Sequence, residues 1–331
     1  MADDHPESWP SDLPLAGARL LLISPHPDDE SLAMGGLIQH AVRQGAVVTL
    51  VQITDGDNNP WPQRWLERRW RIGPRERLRW GERRTDEVRA AISQLGLPVM
   101  ALQRLGWPDL GVWSRLRDDD PRAVGVFANL LRSVQPDVVV MPDLADRHPD
   151  HGASHVLMRL AMAQQGRLPA CLTYLVHGQP GGGGQPVTVT LDAAEQAAKR
   201  QAALAHQTQM ALSRRRLMRL VGPVEHFQRA PATCASTSSL PAVVALPWRP
   251  PRVLARWLQL TLVHAGGLQT WRWRDAPLQP DGKSWQLTLP ADVRRGPVFA
   301  KLELRCPSPW IFDHWDWCDL TVPVRASQAV A

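Results

Sequence analysis

The stretch LLLISPHPDDE, residues 20–30, decides the fold of the N-terminal part of the chain. Its four leading apolar residues are typical of a strand that is buried on both faces of a sheet. The acidic residues at its end favour the start of a helix, where the helix dipole is positive. The stretch therefore predicts a strand, a turn and a helix, with a histidine and two aspartates at the end of the strand.

The same alternation continues down the chain. Further apolar runs occupy residues 47–53 and 138–141, and helix-like stretches at 31–44 and 85–95 each end before a glycine. Residues 152–165 repeat the helical pattern. Short apolar runs that alternate with helices are the signature of βαβ units. The sequence therefore predicts an α/β fold with a mainly parallel sheet.

A second polar cluster, DRHPDH at residues 146–151, follows the apolar run 138–141. The carboxyl ends of parallel strands meet at one edge of the sheet, where open α/β folds bind ligands. His26 and Asp29 are three residues apart in a tight turn, and His151 can join them from the second strand. Hydrolytic zinc sites use about three such ligands and leave a position for water. The two clusters together predict a zinc site.

This set of ligands leaves two polar residues for catalysis. Asp28 is free to accept a proton from water as a general base. His148, as a protonated imidazole, can stabilise an oxyanion or donate a proton to the leaving amine. The alternative interpretation is structural: Asp28 and its neighbours only cap a helix, and the histidines of the second cluster lie in a surface turn.

Composition narrows the class of protein. The 331 residues include 38 basic and 32 acidic side chains, a formal net charge of +6, and this modest excess does not favour nucleic-acid binding. The four cysteines lack CxxC spacing, which fits a reducing compartment. The N-terminus does not resemble a secretory signal, and no run reaches the roughly 18 to 20 apolar residues of a membrane span. We therefore expect a soluble, cytoplasmic protein.

The pattern changes after about residue 240. Residues 285–289 and 298–305 alternate largely with a period of two, which favours half-buried antiparallel strands. We predict an N-terminal domain over residues 15–238 and a small, Trp-rich, β-sandwich-like domain over residues 239–331. Its tryptophans can form the core or stack against a sugar.

Residues 61–84 interrupt the α/β pattern with many arginines and four tryptophans. This segment either lines a site for a charged or sugar-bearing substrate or forms a partly solvated helix that packs on the body of the protein. The sequence leaves both interpretations open.

Several motifs together resemble the PIG-L/LmbE family of zinc-dependent N-deacetylases, which act on N-acetylglucosamine-type sugars. They are PHPDDE at 25–30, TDG at 54–56, DRHPDH at 146–151, RTDE at 84–87 with LG at 95–96, AHQTQ at 205–209 and EHF at 225–227. The resemblance covers about residues 18–227. It implies a Rossmann-like three-layer sandwich and a bound Zn²⁺.

The resemblance also implies roles for individual residues. By position, the zinc ligands are His26, Asp29 and His151, and the catalytic base is Asp28.

Four further positions match the family pattern. His148 would stabilise the tetrahedral intermediate, and Asp150 would orient His148. Arg84 and Asp109 match positions that are expected to contact the sugar.

The expected activity is hydrolysis of the N-acetyl group of an amino sugar or glycoconjugate. One alternative is an amidase that acts on a thiol or pseudo-oligosaccharide conjugate. Another is a non-catalytic carbohydrate-binding module. The sequence does not predict an oligomeric state.

Overall fold

The structure is a computed structural model that describes residue 13 and residues 15–118, 121–165, 168–178, 184–230, 239–282, 284–306 and 311–321. Within these residues, no helix combines the length and the apolar character that crossing a membrane requires.

A seven-stranded sheet forms the centre of the N-terminal part. Its strands are β1 (Arg19–Ser24), β2 (Val47–Thr54), β3 (Leu102–Trp107), β4 (Val138–Pro142), β5 (Ala170–Tyr174), β6 (Gln185–Thr190) and β7 (Val224–Arg229). The strand order is β3-β2-β1-β4-β5-β7-β6. The first five strands run parallel, and β7 is antiparallel to both of its neighbours. The predicted α/β fold with a mainly parallel sheet is confirmed.

Helices cover both faces of this sheet. They are α1 (Asp29–Ala33), α2 (Gly35–Arg43), α3 (Pro60–Glu67), α4 (Pro74–Gln94), α5 (Val112–Arg117), α6 (Pro121–Val134), α7 (Pro149–Met162), α8 (Ala193–Ala205) and α9 (Gln207–Leu217), with 3₁₀ turns at Val99–Ala101 and Arg252–Leu254. Leu21 and Ile23 of β1 pack in the same cluster as residues of α5, α6 and α7. Leu20 and Leu22 point to the other face, with residues of α2, α4 and α8.

Two helices differ from the sequence expectation. The helix predicted over residues 31–44 is divided at Met34, which ends α1 and precedes α2. Helix α4 begins well before residue 85, because Pro74 suits a first helical position and Glu76 accepts a hydrogen bond from the Gly73 N–H at 3.1 Å. The segment rich in Arg and Trp thus becomes α3 and the first turns of α4.

Two antiparallel sheets follow the α/β part. The strands are β8 (Val243–Leu246), β9 (Leu258–His264), β10 (Gly267–Arg272), β11 (Leu278–Asp281), β12 (Ser284–Thr288), β13 (Val298–Leu304) and β14 (Cys318–Asp319). Their orders are β10-β9-β13-β14 and β11-β12-β8. Residues of both sheets share one hydrophobic cluster. Val263, Phe299 and Trp317 instead belong to the cluster that contains α7, so the C-terminal sheets pack directly on the α/β part.

Strands β1 and β4 are neighbours at the point where the strand order reverses. The crevice beyond their carboxyl ends is the usual ligand site of such sheets. Both polar clusters of the sequence lie there.

Candidate metal centre

The turn after β1 holds Asp28 in an unusual conformation. Its φ is 111°, in the region where a residue other than glycine is strained. The Asp28 N–H donates to Oε2 of Glu30 at 3.1 Å, and the His26 N–H donates to Oδ2 of Asp29 at 2.8 Å. The carboxylates of Glu30 and Asp29 therefore fix the backbone of this turn. The side chains of Asp28 and Asp29 point in different directions from it.

The second cluster forms the start of α7. His148 is the N-cap, and its Nδ1 accepts a hydrogen bond from the Asp150 N–H at 3.2 Å. Asp146, two residues earlier, accepts the His148 N–H at 3.0 Å. Pro149 occupies the first helical position, which its fixed φ favours. The next turn of the helix then directs His151 towards the end of β1.

Three predicted ligands meet at one point. His26 Nδ1 lies 3.1 Å from His151 Nε2 and 3.6 Å from Oδ2 of Asp29, and the same oxygen lies 3.3 Å from His151 Nε2. Ligand atoms about 2.1 Å from a tetrahedrally coordinated zinc are about 3.4 Å apart. The two nitrogens and the carboxylate oxygen therefore fit one divalent cation of that kind.

A carboxylate behind His151 fixes the orientation of its ring. His151 Nδ1 lies 3.1 Å from Oδ2 of Asp146, which also accepts the N–H groups of Val176 and His177 at 2.9 and 3.0 Å. Such a carboxylate keeps the proton on one ring nitrogen and leaves the other free for a metal. The sequence alone assigns Asp146 no role, although its place in the DRHPDH motif is a usable signal.

Asp109 and Asp150 lie on the other side of His26. Its Nε2 is 3.2 Å from Oδ1 of Asp109 and 3.3 Å from Oδ2 of Asp150. The Asp150 carboxylate also accepts the N–H groups of Leu110 and Val112 at 2.7 and 3.0 Å. The backbone N–H of Asp150 thus contacts His148. The carboxylate of Asp150 instead contacts His26 and the chain after β3.

Arg84 lies beneath the Asp28 turn and is only 3% exposed. It donates to the carbonyl oxygens of Pro27 at 2.6 Å and Gly56 at 2.9 Å, and its Nη2 is 3.7 Å from Oδ2 of Asp28. Burial raises the pKa of Asp28 to about 6, although the Arg84 charge opposes the shift. The Asp28 carboxyl thus has a pKa suited to proton transfer near neutral pH.

The structure favours neutral His148 over the protonated form expected from the sequence. Burial lowers its pKa well below the usual value, and the charges of His26, His151 and His177 act in the same direction. Because Nδ1 accepts the Asp150 N–H, the ring proton of the neutral form resides on Nε2. His148 can therefore donate a hydrogen bond without carrying a charge.

In the absence of a metal ion, the ligand histidines attract protons. Burial lowers the pKa of His151, but Asp146 and Asp29 outweigh it and raise the pKa to about 10. For Asp29, the nearby His151 and His26 outweigh burial and lower the pKa well below its usual range. A cation would replace these protons against the same carboxylates.

A buried ion pair between Glu30 and His206 supports the Asp28 turn. His206 Nε2 lies 2.7 Å from Oε1 of Glu30, and both side chains are almost fully buried. Burial raises the pKa of Glu30, but the His206 charge outweighs it and the net shift is downward. The AHQTQ motif contains His206, but the sequence alone does not predict its pairing with Glu30.

The tryptophans of the 61–84 segment divide into two groups. Trp80 is fully buried, whereas Trp61, Trp65 and Trp70 are 62%, 68% and 77% exposed. The Arg64 guanidinium lies 4.9 Å from the Trp61 ring and 5.3 Å from the Trp70 ring. Of these four tryptophans, Trp80 alone packs into the body of the protein, as expected for a partly solvated helix. The other three are exposed to solvent.

A cavity of about 600 Å³ opens between this segment and the end of β3. Asp55, Asp57, Arg77 and Trp107 are among its lining residues. Asp57 accepts the Asp109 N–H at 3.0 Å, so the wall of the cavity is joined to a carboxylate of the candidate centre.

The chain is similar to several known proteins. Residues 21–162 match the PIG-L family, described as GlcNAc-PI de-N-acetylase. A 1D-myo-inositol 2-acetamido-2-deoxy-alpha-D-glucopyranoside deacetylase of Tsukamurella paurometabola is 32% identical over 169 residues, covering 44% of this chain and 54% of that protein. The protein of the same name in Mycobacterium leprae is 33% identical over 161 residues, covering 45% and 51%. The chain thus spans about half the length of these relatives.

Solved structures show the same fold. N,N'-diacetylchitobiose deacetylase from Pyrococcus horikoshii superposes with a TM-score of 0.51 at 21% identity, covering 66% of this chain and 86% of that one. A deacetylase triple mutant from the teicoplanin biosynthetic pathway also gives a TM-score of 0.51, at 18% identity, covering 64% and 97%. The fold, the paired motifs and the sequence match agree in residues 21–162, the part of the chain that is similar to the PIG-L family.

Proposed function

We propose that the chain is a zinc-dependent hydrolase that removes the N-acetyl group of an amino sugar or glycoconjugate. The observation that carries the proposal is the meeting of His26 Nδ1, Asp29 Oδ2 and His151 Nε2 within 3.6 Å of one another. Two nitrogens and one carboxylate oxygen form a typical catalytic zinc set. When bound there, the metal supplies Lewis acidity towards water and the acetyl carbonyl.

In the proposed mechanism, Asp28 takes the proton from the attacking water. Its raised pKa, about 6, leaves it mostly ionised at neutral pH and still able to hold a proton during the reaction. The Glu30 carboxylate and the Arg84 guanidinium hold the strained Asp28 turn in one conformation. The same Asp28 can later return the proton to the leaving amine.

His148 is proposed to stabilise the oxyanion that develops on the acetyl group. Its Nε2–H donates while the Asp150 N–H fixes the other ring nitrogen. A metal charge nearby would lower the pKa of His148 further, so the neutral donor form is kept during turnover.

The sugar class rests on the relatives. The relatives named above deacetylate an N-acetylglucosaminyl-inositol, and the cavity of about 600 Å³ falls within the usual range of roughly 300 to 1,000 Å³ for ligand sites. We propose that Asp109 and Arg84 face the sugar, as the family pattern implies. In this structure Asp109 lies beside His26, and Arg84 holds the backbone around it.

We also propose the finer architecture. The N-terminal part is a Rossmann-like three-layer sandwich, supported by the order β3-β2-β1-β4-β5 and by helices on both faces. A β-sandwich-like domain begins near residue 239, supported by the hydrophobic cluster that its two sheets share. A cytoplasmic location stays a prediction.

The proposal is tested by assaying acetate release with zinc-loaded protein. The panel contains N-acetylglucosamine, N,N'-diacetylchitobiose and an N-acetylglucosaminyl-inositol. It also contains a glucosamine whose amine is joined by an amide bond to a larger, thiol-bearing acid. We expect acetate and a free amine from at least one N-acetyl sugar, with loss of activity after chelation and recovery on adding zinc. Release of a larger acid from the thiol conjugate alone would favour the amidase alternative, and zinc-free protein after incubation with the metal would contradict the proposal.

A further inference from the structure

The chain just before β14 contributes a side chain to the surroundings of His148. The ring centroid of Phe312 lies 5.9 Å from that of His148, with the planes at 83°, and 5.3 Å from that of His177. The His148 ring also meets the His26 ring edge-on, at 4.4 Å. His148 thus packs against a ligand histidine and a phenylalanine that lies far outside residues 21–162.

One backbone hydrogen bond and one side-chain hydrogen bond join the Phe312 segment to the chain just before His148. The Asp313 N–H donates to the Arg147 carbonyl oxygen at 2.8 Å, and Arg147 Nη2 donates to the Asp313 carbonyl oxygen at 3.4 Å. Because Arg147 precedes His148 and Asp313 follows Phe312, these bonds hold the two backbones side by side. The two hydrogen bonds therefore keep the Phe312 ring close to the His148 ring.

A buried charge anchors the same segment to the C-terminal sheet. Lys301 of β13 is fully buried and forms an ion pair with the Asp313 carboxylate. Its ammonium lies 4.8 Å from the Trp317 ring and 5.4 Å from the Trp113 ring. A fully buried ammonium is costly without a partner, so Asp313 cannot move away without a large loss of stability.

Trp317 attaches the other end of the segment to α7. A Cβ atom on Gly152 would lie 2.5 Å from two atoms of the Trp317 ring, so the indole touches the helix backbone directly after His151. Trp317 also meets Trp113 of α5 edge-on, at 5.2 Å. Residues 312–317 are thus held against the chain before His148 and the chain after His151.

We infer that residues 312–317, which lie between β13 and β14, form one wall of the candidate centre, and that Phe312 is a positioning residue for the His148 ring. The hydrogen bond from the Asp150 N–H fixes one atom of that ring but leaves it free to tilt. The Phe312 and His26 rings, which both pack edge-on with the His148 ring, restrict the tilt. The Nε2–H bond of His148 then points in one fixed direction. The catalytic part of this inference rests on the proposed hydrolysis.

The test compares three variants of the zinc-loaded full chain. In Phe312→Ala the ring is lost, in Phe312→Leu much of its bulk is kept, and Ile311→Ala changes the neighbouring residue, which is 52% exposed. With an N-acetylglucosaminide that the unaltered protein deacetylates, we expect Phe312→Ala to lower kcat about tenfold. KM should stay within about twofold and zinc content should be unchanged. Phe312→Leu should recover most of the loss, and Ile311→Ala should match the unaltered protein.

A second readout does not depend on turnover. The ring signals of His148 are followed by NMR, assigned with His148→Gln, and the signals of His40 serve as an internal control. Phe312→Ala should shift and broaden the His148 signals and leave those of His40 in place. Unchanged His148 signals, or an unchanged kcat in Phe312→Ala, would overturn the inference. Shifted signals in a protein that releases no acetate from any sugar would instead uphold the wall and reject the proposed function.

Discussion

The N–H of Asp28, a residue held at φ 111°, donates a hydrogen bond to Oε2 of Glu30 at 3.1 Å. A residue other than glycine keeps such a conformation only where its surroundings enforce it, at a cost on the order of 1 to 3 kcal/mol. Glu30 is itself held by His206 at 2.7 Å. The proposed base is therefore aimed by a carboxylate two residues away.

Replacing Glu30 with Gln should remove the charge that holds the turn. We expect kcat to fall about tenfold with zinc content unchanged, and the free energy of unfolding to fall by about 1 to 3 kcal/mol, because His206 loses its charged partner. Steady-state kinetics and urea unfolding measure the two effects. Asp86→Asn, at a side chain that is 73% exposed, is the matched control. A Glu30→Gln enzyme with full kcat would show that the turn holds its conformation unaided.

Asp146 should control metal affinity through His151. Asp146→Asn removes the charge 3.1 Å from His151 Nδ1, and loss of such a partner typically weakens metal binding about 10- to 100-fold. Competition with a chelator of known affinity measures the change. Asp137→Asn serves as control, because Asp137 accepts the Arg19 N–H at the opposite end of β1. Equal zinc affinity in both variants would contradict the role of Asp146.

Zinc binding should release protons. The carboxylates of Asp146 and Asp29 raise the pKa of His151 to about 10 in the metal-free protein, so His151 carries a proton at pH 7 to 8. The metal must displace that proton. Affinity should therefore rise about tenfold per pH unit for each proton displaced, and it should fall as the pH drops. Calorimetric titrations in buffers of different ionisation enthalpy count the protons, and a count of zero at pH 7.5 would contradict this account.

The contact between Gly152 and Trp317 should affect the free energy of unfolding of variants at these two positions. Gly152→Ala places a methyl group 2.5 Å from the indole and should lower the free energy of unfolding by about 1 to 3 kcal/mol. Trp317→Leu creates room for that methyl group. In a double-mutant cycle, the combined loss should then be smaller than the sum of the single losses by at least about 0.5 kcal/mol. Additive losses would mean that the two residues do not touch.

The sequence predicted the part of the site that depends on local pattern. Apolar runs of four to seven residues mark β1, β2 and β4, since a strand covered on both faces has few polar positions. Neighbouring parallel strands then bring the two clusters to one edge, so the approach of His26 to His151 follows from the fold class. The roles of the individual site residues stay predictions.

Contacts between distant segments could not be predicted in the same way. The pairing of Glu30 with His206 and the packing of Phe312 on His148 join residues far apart in sequence, and neither pair has a periodic pattern. The close approach of Gly36 to Leu191 and Glu225, which leaves no room for a side chain, is another such contact between distant segments.

The rate of acetate release by zinc-loaded Asp28→Asn protein tests the central claim most directly. Asp28 is not among the three metal ligands, so the variant should bind zinc as the unaltered protein does. Its kcat on an N-acetylglucosaminide should fall about 10²- to 10⁴-fold, the usual contribution of a general base. A variant with bound zinc and an unchanged kcat would contradict the assignment of Asp28 as the base of a metal-dependent deacetylase.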